Sequence, residues 1–388
     1  MKKLFIPILL GLFVFKATAQ ESTRVITTGV PFLLIAADAR SGGMGDIGVA
    51  TSTDGFSQQW NPSKYAFAIS KQGLGITYTP YLSNLVNDIF LGNLTYYNRI
   101  NERSAVAASF RYFSNGEVEL RETFDQEPLV VKPNELTLDV SYALRLSDRF
   151  SMAVAGRYIR SDLKLQVGNE DATAAGTFAV DVSGFYQSEE VAYNDFDGRW
   201  RAGFNISNIG PKLKYDETGQ ENFIPTNLGL GGGFDFILDE YNKVGVNLEV
   251  NKLLVPTPPD LDLNGDGDIT PEERSQAIQD YNDISFISGM FQSFGDAPDG
   301  FSEELKEFTW ALGAEYWYQD VFAFRTGYFN ESEEKGSRKF LSVGAGFKLS
   351  AINIDLSYLF STSRVRSPLE GTLRFGLTFN FGDEYSEY

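Results

Sequence analysis

One twelve-residue stretch of this chain has the composition of a calcium loop. Asp262-Leu-Asn264-Gly-Asp266-Gly267-Asp268-Ile-Thr270-Pro-Glu-Glu273 satisfies every defined position of the pattern D-x-[DN]-x-[DN]-G-x5-E. A hard cation such as Ca2+ takes oxygen ligands. Asp262, Asn264 and Asp266 would supply side-chain oxygens at loop positions 1, 3 and 5, and Asp268 its backbone carbonyl. Thr270 stands where ligation often passes through water, Glu273 is the bidentate closer, and Gly267 makes the sharp turn. The flanks depart from a paired sensor domain. Val255-Pro-Thr-Pro-Pro259 cannot form an entering helix. Pro271 to Asp283 reads as an exiting helix with Pro271 in its first turn. The expectation is one structural Ca2+ site of weak affinity, with a dissociation constant around 10⁻⁴–10⁻³ M. Its role would be to fold down the loop Leu253–Lys306. The alternative is an acidic loop that holds no metal.

Other chemistry is largely excluded by composition. The chain has no His and no Cys, which removes the Ser-His-Asp and Cys-His nucleophile systems, His-based metal sites and disulfides. Acidic residues outnumber basic ones 52 to 33, a net charge of −19 that argues against nucleic acid as a partner. Gly231-Gly-Gly233 could pass for a phosphate loop, but it lies inside a strand pattern with no helix after it. Close packing or a bend explains it better. After the acidic loop come Ile287, Met290, Phe291, Phe294 and Phe301. Apolar side chains there suggest either a protein contact or packing against the loop and the barrel rim.

The elements that carry these residues are strands. Leu136-Thr-Leu138-Asp-Val140-Ser-Tyr142-Ala-Leu144-Arg-Leu146 alternates apolar and polar residues throughout, as does Gly371 to Phe381. Successive strand side chains point to opposite faces, so each copy has one greasy and one polar face. Tilted strands of roughly nine to eleven residues cross a bilayer, and a series of them predicts an all-β transmembrane barrel of the outer membrane. Fourteen antiparallel strands are predicted, centred on Ile76, Leu94, Ala108, Val140, Val154, Val182, Phe204, Leu230, Val246, Leu312, Phe324, Val343, Leu356 and Leu377. Their connections alternate between tight turns, such as Arg99–Ser104 and Trp317–Val321, and long loops, such as Ser114–Asn134 and Leu253–Lys306. Short periplasmic turns opposite longer external loops are expected of such barrels, and an even count places both mature termini in the periplasm. The inward faces carry charge of both signs, among them Arg111, Asp139, Arg157, Asp181, Glu249, Glu315, Arg325, Asp355 and Arg374. Such residues suit either an open water-filled pore or a narrow lumen cross-linked by ion pairs.

The N-terminus points to export. Met1-Lys2-Lys3, the apolar run Leu4 to Phe15 and Ala17-Thr-Ala19 read as a secretory signal peptide over residues 1–19, with the mature chain starting near Gln20. The apolar run is too short to serve as a membrane anchor. Residues 20–70 are Gly-rich and lack the strand pattern, which suits an N-terminal plug in the mouth of the barrel formed by residues 71–388.

That segment also carries a resemblance. Ala39-Arg40-Ser41-Gly42-Gly43-Met44-Gly45-Asp46-Ile-Gly48-Val49-Ala50-Thr51, followed by Gln59-Trp60-Asn61-Pro62-Ser63-Lys64, resembles the PorV (LptO) family of the type IX secretion system. The Asn-Pro-Ser and Gly-Met-Gly elements are similar more loosely to the FadL barrels, fourteen-stranded transporters with an N-terminal hatch. The resemblance implies a non-enzymatic outer-membrane shuttle. It would accept cargo with a C-terminal signal domain from a SprA/Sov-type translocon and deliver it to a PorU-type attachment complex. The resemblance transfers no cargo-binding residues. The alternative is a FadL-like transporter of hydrophobic small molecules, which would need an apolar lumen pocket and a lateral exit.

Overall fold

The computed structural model describes residues 24–83, 85–121, 125, 127–163, 173–215, 221–363 and 366–385; residues 1–19, expected from the sequence to be a signal peptide, lie outside them. Fourteen long antiparallel strands form one closed sheet. They are β1 (Ser70–Pro80), β2 (Ile89–Arg99), β3 (Ser104–Asn115), β4 (Asn134–Ser147), β5 (Phe150–Asp162), β6 (Ala175–Gln187) and β7 (Asp197–Ile209). The second half comprises β8 (Asn227–Ile237), β9 (Asn242–Leu253), β10 (Phe308–Tyr318), β11 (Phe322–Asn330), β12 (Lys339–Leu349), β13 (Ile352–Ser361) and β14 (Leu373–Glu384). Each strand pairs with its sequence neighbours, and β1 pairs with β14 to close the barrel, with Ile76 opposite Leu377. Closure leaves no strand edge, so every spanning backbone group can be bonded within the sheet.

The alternation decides which face each residue occupies. On β4, Leu138, Val140 and Tyr142 face outward while Thr137, Asp139 and Ser141 are buried inside. Outward aromatics gather at both ends of the wall. Tyr78, Phe90 and Tyr112 form one chain of ring contacts near the long loops, and Trp200, Phe234 and Phe236 form another near the short turns. These are the interfacial girdles, with an apolar band between them.

The plug occupies most of the lumen, leaving a cavity of about 310 Å³ at the short-turn end lined by Arg99, Arg145, Arg199 and Arg201. Two short helices, α1 (Ala39–Gly42) and α2 (Ser57–Trp60), and two 3-10 turns, Pro31–Leu34 and Pro62–Phe67, pack inside the wall. In the half nearer the long loops, Val30, Phe32 and Leu33 of the plug pack on Leu91, Phe113, Ile159, Leu213 and Ile224. In the other half, Tyr65 and Ala66 sit on small wall residues, Ala105, Ala107, Ala143 and Ala153. The plug's direction corrects the expected topology. Residue 24 lies against the long loop between β9 and β10, so the described chain begins at the long-loop mouth, descends through the lumen and enters β1 at the short-turn end. Even strand count fixes only where the barrel strands start and finish. A plug that threads the lumen adds one more crossing, which alternation cannot reveal.

Candidate functional site

The inward charges expected of the strands bond to one another and to the plug. Arg157 on β5 lies between Asp139 of β4, with which it is paired, and Asp181 of β6, at 2.9 Å. Arg325 on β11 reaches Glu315 of β10 at 2.5 Å and Asp355 of β13 at 2.7 Å. Arg40 of the plug takes the other side of Glu315 at 2.8 Å and also holds Asp54 at 2.8 Å. Arg374 donates to Asp46 at 2.7 Å, and the Glu249 carboxylate accepts the amides of Gly48 and Val49 at 2.9 and 2.8 Å. Charges buried in this way need partners on every side, and here plug and wall supply them for each other. The lumen is therefore cross-linked rather than open.

The plug motifs now have physical roles. Asp38 caps α1 by accepting from the Ser41 amide at 2.8 Å and receives the Trp60 indole N–H at 2.7 Å. Asn61 caps the following 3-10 turn through the Ser63 amide, and its amide group donates to the carbonyls of Val49 and Gly184. Lys64 is fully buried and donates to Gly48 O at 2.8 Å and to the Thr51 hydroxyl at 3.0 Å. Gly45 has φ +82°, a conformation that favours glycine. There the plug backbone presses against the wall: a Cβ added at Gly327 would lie 2.0 Å from the Met44 carbonyl carbon.

At the long-loop mouth the start of the described chain is tied to the loop between β9 and β10. Arg24 donates to Asp299 at 2.9 Å, Glu303 at 3.2 Å and Asp260 at 3.0 Å. Lys335 donates to Glu303 at 2.6 Å, Glu307 at 3.0 Å and the Arg24 carbonyl at 3.2 Å. Lys252 joins Glu307 and Glu304 at 2.7 and 3.2 Å. Burial alone would raise the Glu303 carboxyl. The Lys335 and Asp299 hydrogen bonds, with the charges of Lys335 and Arg24, outweigh it and hold the group below its ordinary value. A lowered folded pKa means that this stabilisation is present at neutral pH and is lost as pH falls through the folded value. Asp296 goes the other way, because burial raises it and Glu304 and Glu307 add to the effect. Sequence reading missed this latch. Its partners lie up to 311 positions apart in sequence, and only the closed barrel brings them together.

The loop itself contains three helices. Helix α3 (Pro271–Asp283) starts with Pro271 at its first turn, followed by α4 (Phe286–Gln292) and α5 (Phe301–Lys306). The calcium-motif residues all lie exposed or half-buried just before and at the start of α3. Asp262 accepts from the amides of Gly265 and Gly267 at 2.8 and 2.9 Å, Asn264 from Asp266 at 2.8 Å, and Asp266 from Asp268 at 2.8 Å. Thr270 and Glu273 form a capping box at the start of α3. Among the described residues no three acidic side chains converge as ion ligands do; they are turned onto backbone amides instead. Three observations nonetheless fit a hard cation. The donors are all oxygens, Gly267 has the positive φ (+91°) of a sharp turn, and the second Glu273 oxygen, Oε1, is shielded and has no hydrogen-bond partner.

The model of the family described as "Type IX secretion system protein PorV" matches residues 18–260, well over half of the chain. The chain belongs to the PorV family. It is thus an outer-membrane barrel of the type IX secretion system. The matched span covers the plug and the strands through β9, so the locking residues Arg40, Asp46, Lys64, Arg157 and Glu249 lie in the family's own region. Among solved structures, the TodX deltaS2S3 mutant monoaromatic hydrocarbon channel is similar at 9% identity and a TM-score of 0.50, over 89% of this chain and 99% of that one. The CymD monoaromatic hydrocarbon channel is similar at 13% identity and a TM-score of 0.49, over 91% and 99%. The Ralstonia pickettii toluene transporter TbuX is similar at 11% identity and a TM-score of 0.49, over 90% and 100%. The TodX likeness shows the fold alone. No curated protein matches the chain.

Proposed function

We propose that this protein is a cargo shuttle of type IX secretion. It accepts proteins with a C-terminal signal domain from a SprA/Sov-type translocon and passes them to a PorU-type attachment complex at the cell surface. The observation that carries the reading beyond family membership is the lumen. Plug and wall lock each other through buried ion pairs, so the barrel offers cargo its outer face rather than a pore. Small-molecule transport is less well supported, since Val30, Phe32 and Leu33 of the chain itself fill the apolar part of the lumen. Deleting the gene in its own bacterium tests the reading. The translocon should still assemble, while clients with the signal domain accumulate unprocessed in the cell envelope. Normal secretion together with lost uptake of hydrophobic compounds would favour the transporter instead.

The calcium loop belongs to the same proposal as a structural element of the outer face. Asp262, Asn264, Asp266, Asp268, Thr270 and Glu273 would hold Ca2+, with the side chains released from the backbone amides they now accept. Clustered carboxylates repel one another unless a cation neutralises them, so the ion would order the loop. Trypsin cleavage after Arg274 should slow several-fold when millimolar Ca2+ replaces chelator, a concentration at or above the expected dissociation constant. Glu273→Gln keeps the capping box but loses the bidentate charge, and should cleave at the chelated rate in either condition. Equal wild-type rates with and without Ca2+ would remove the metal site.

A further inference from the structure

The loop helices show an apolar stripe that none of the described residues covers. On and just after α4, Ile287, Phe291 and Phe294 follow an i, i+4, i+7 spacing, one face of a helix. They are 56%, 74% and 51% exposed, and Phe301 at the start of α5 is 77% exposed. The opposite face of α4 is seated. A Cβ at Gly289 would meet Pro256 at 2.9 Å and Phe223 at 3.2 Å, so the helix lies close on the loop base with no freedom to turn its stripe inward. The Lys252 ammonium lies 5.9 Å from the Phe294 ring and bonds Glu304 and Glu307 around α5, which ties α4, α5 and the barrel wall into one support. An amphipathic helix with its apolar face outward on a rigid mount marks an interaction surface.

Charge limits what fits there. Residues 254–307 contain thirteen Asp and Glu against two basic residues, Arg274 and Lys306. Glu303, Glu304, Glu307 and Asp299 are engaged in the latch, but Asp280 and Asp283 are exposed at the end of α3, directly before α4 in the chain. An anionic lipid surface or a second copy of this acidic loop would be repelled. We infer that the stripe Ile287–Phe291–Phe294–Phe301 docks the client's signal domain through an apolar patch rimmed by lysine and arginine. This inference rests on the shuttle reading and adds to it the face used and the chemistry of the partner.

The test uses the full-length protein in nanodiscs and a purified C-terminal signal domain from a secreted client. Phe291→Ser with Phe301→Ser should weaken binding about tenfold or more, as expected of exposed aromatic anchors. Asp280→Asn with Asp283→Asn should weaken it less and should reduce its salt dependence. Wild-type affinity should fall several-fold between 50 and 300 mM NaCl. Both variants change exposed side chains, and an unchanged heat-modified band on a gel confirms that the barrel is folded. Wild-type binding that neither variant alters would overturn the docking face while leaving the shuttle reading intact. Salt-independent binding would overturn the cationic rim. No binding of any signal domain by the wild type would overturn both the face and the shuttle reading.

Discussion

Gly327→Leu should unseat the plug and make a closed barrel conduct. The Gly327 Cα faces the plug backbone so closely that even a Cβ would sit 2.0 Å from the Met44 carbonyl carbon and 2.3 Å from the Gly45 amide nitrogen. Backbone cannot step aside as a flexible side-chain tip can, so a leucine there drives the Gly43-Met44-Gly45 turn off the wall. With that turn go the contacts that depend on its position: Arg374 with Asp46, Arg40 with Glu315 and the two amides on Glu249. The wall is held by its own ladder of backbone bonds and should stay closed. In planar bilayers the wild type is expected to show little steady conductance and Gly327→Leu to show open-channel steps. Gly232→Leu is the matched control. That glycine is on the outer face, with nothing within 4 Å of an added Cβ, and the substitution should leave conductance at the wild-type level. If Gly327→Leu behaves like the control, the plug is not what closes the lumen.

Arg157→Met should cost the barrel about 3–5 kcal/mol, the range for removing one partner of a buried charge network. Arg157 is 3% exposed and is the cation shared by Asp139 and Asp181, which are 1% and 0% exposed. It also donates to the side chain of Asn208, where β7 has a register irregularity and φ of +60°. Methionine fills much of the volume but leaves two buried carboxylates, Asp139 and Asp181, to share the positive charge of Arg111. The temperature at which the compact band on a denaturing gel converts to the unfolded one should fall by many degrees. Adding Asp181→Asn to Arg157→Met should recover much of the loss, since it leaves one buried carboxylate, Asp139, beside one buried cation, Arg111, in place of two carboxylates beside one. A double variant no more stable than Arg157→Met would show that packing, not charge pairing, dominates at this site.

The barrel was legible because its rule is local. Alternation along β4 or β14 depends only on which face each residue takes, and a strand needs no distant partner to show it. All fourteen predicted centres, from Ile76 to Leu377, lie within observed strands. The exiting helix was legible for the same reason: Pro271 and the Thr270–Glu273 capping box are signals held within four residues. The family was legible in the short plug motifs, whose glycines and Asn-Pro pair meet steric and capping demands within a few residues of one another.

What the sequence left open was decided by contacts between residues hundreds of positions apart. The inward charges could have lined a water-filled pore; the structure joins Arg40 to Glu315 and Arg374 to Asp46, and the lumen closes. The plug's direction had no periodic signal, because a segment that touches wall on every side repeats no single face. The packing of Val30 and Phe32 near the long loops and the placement of Arg24 against Asp299 and Glu303 show that it rises to the long-loop mouth. The outward stripe on α4 likewise depended on tertiary structure. Helical spacing in Ile287, Phe291 and Phe294 says that they share a face, but only the seating of Gly289 on Pro256 and Phe223 decides that this face is turned to the outside.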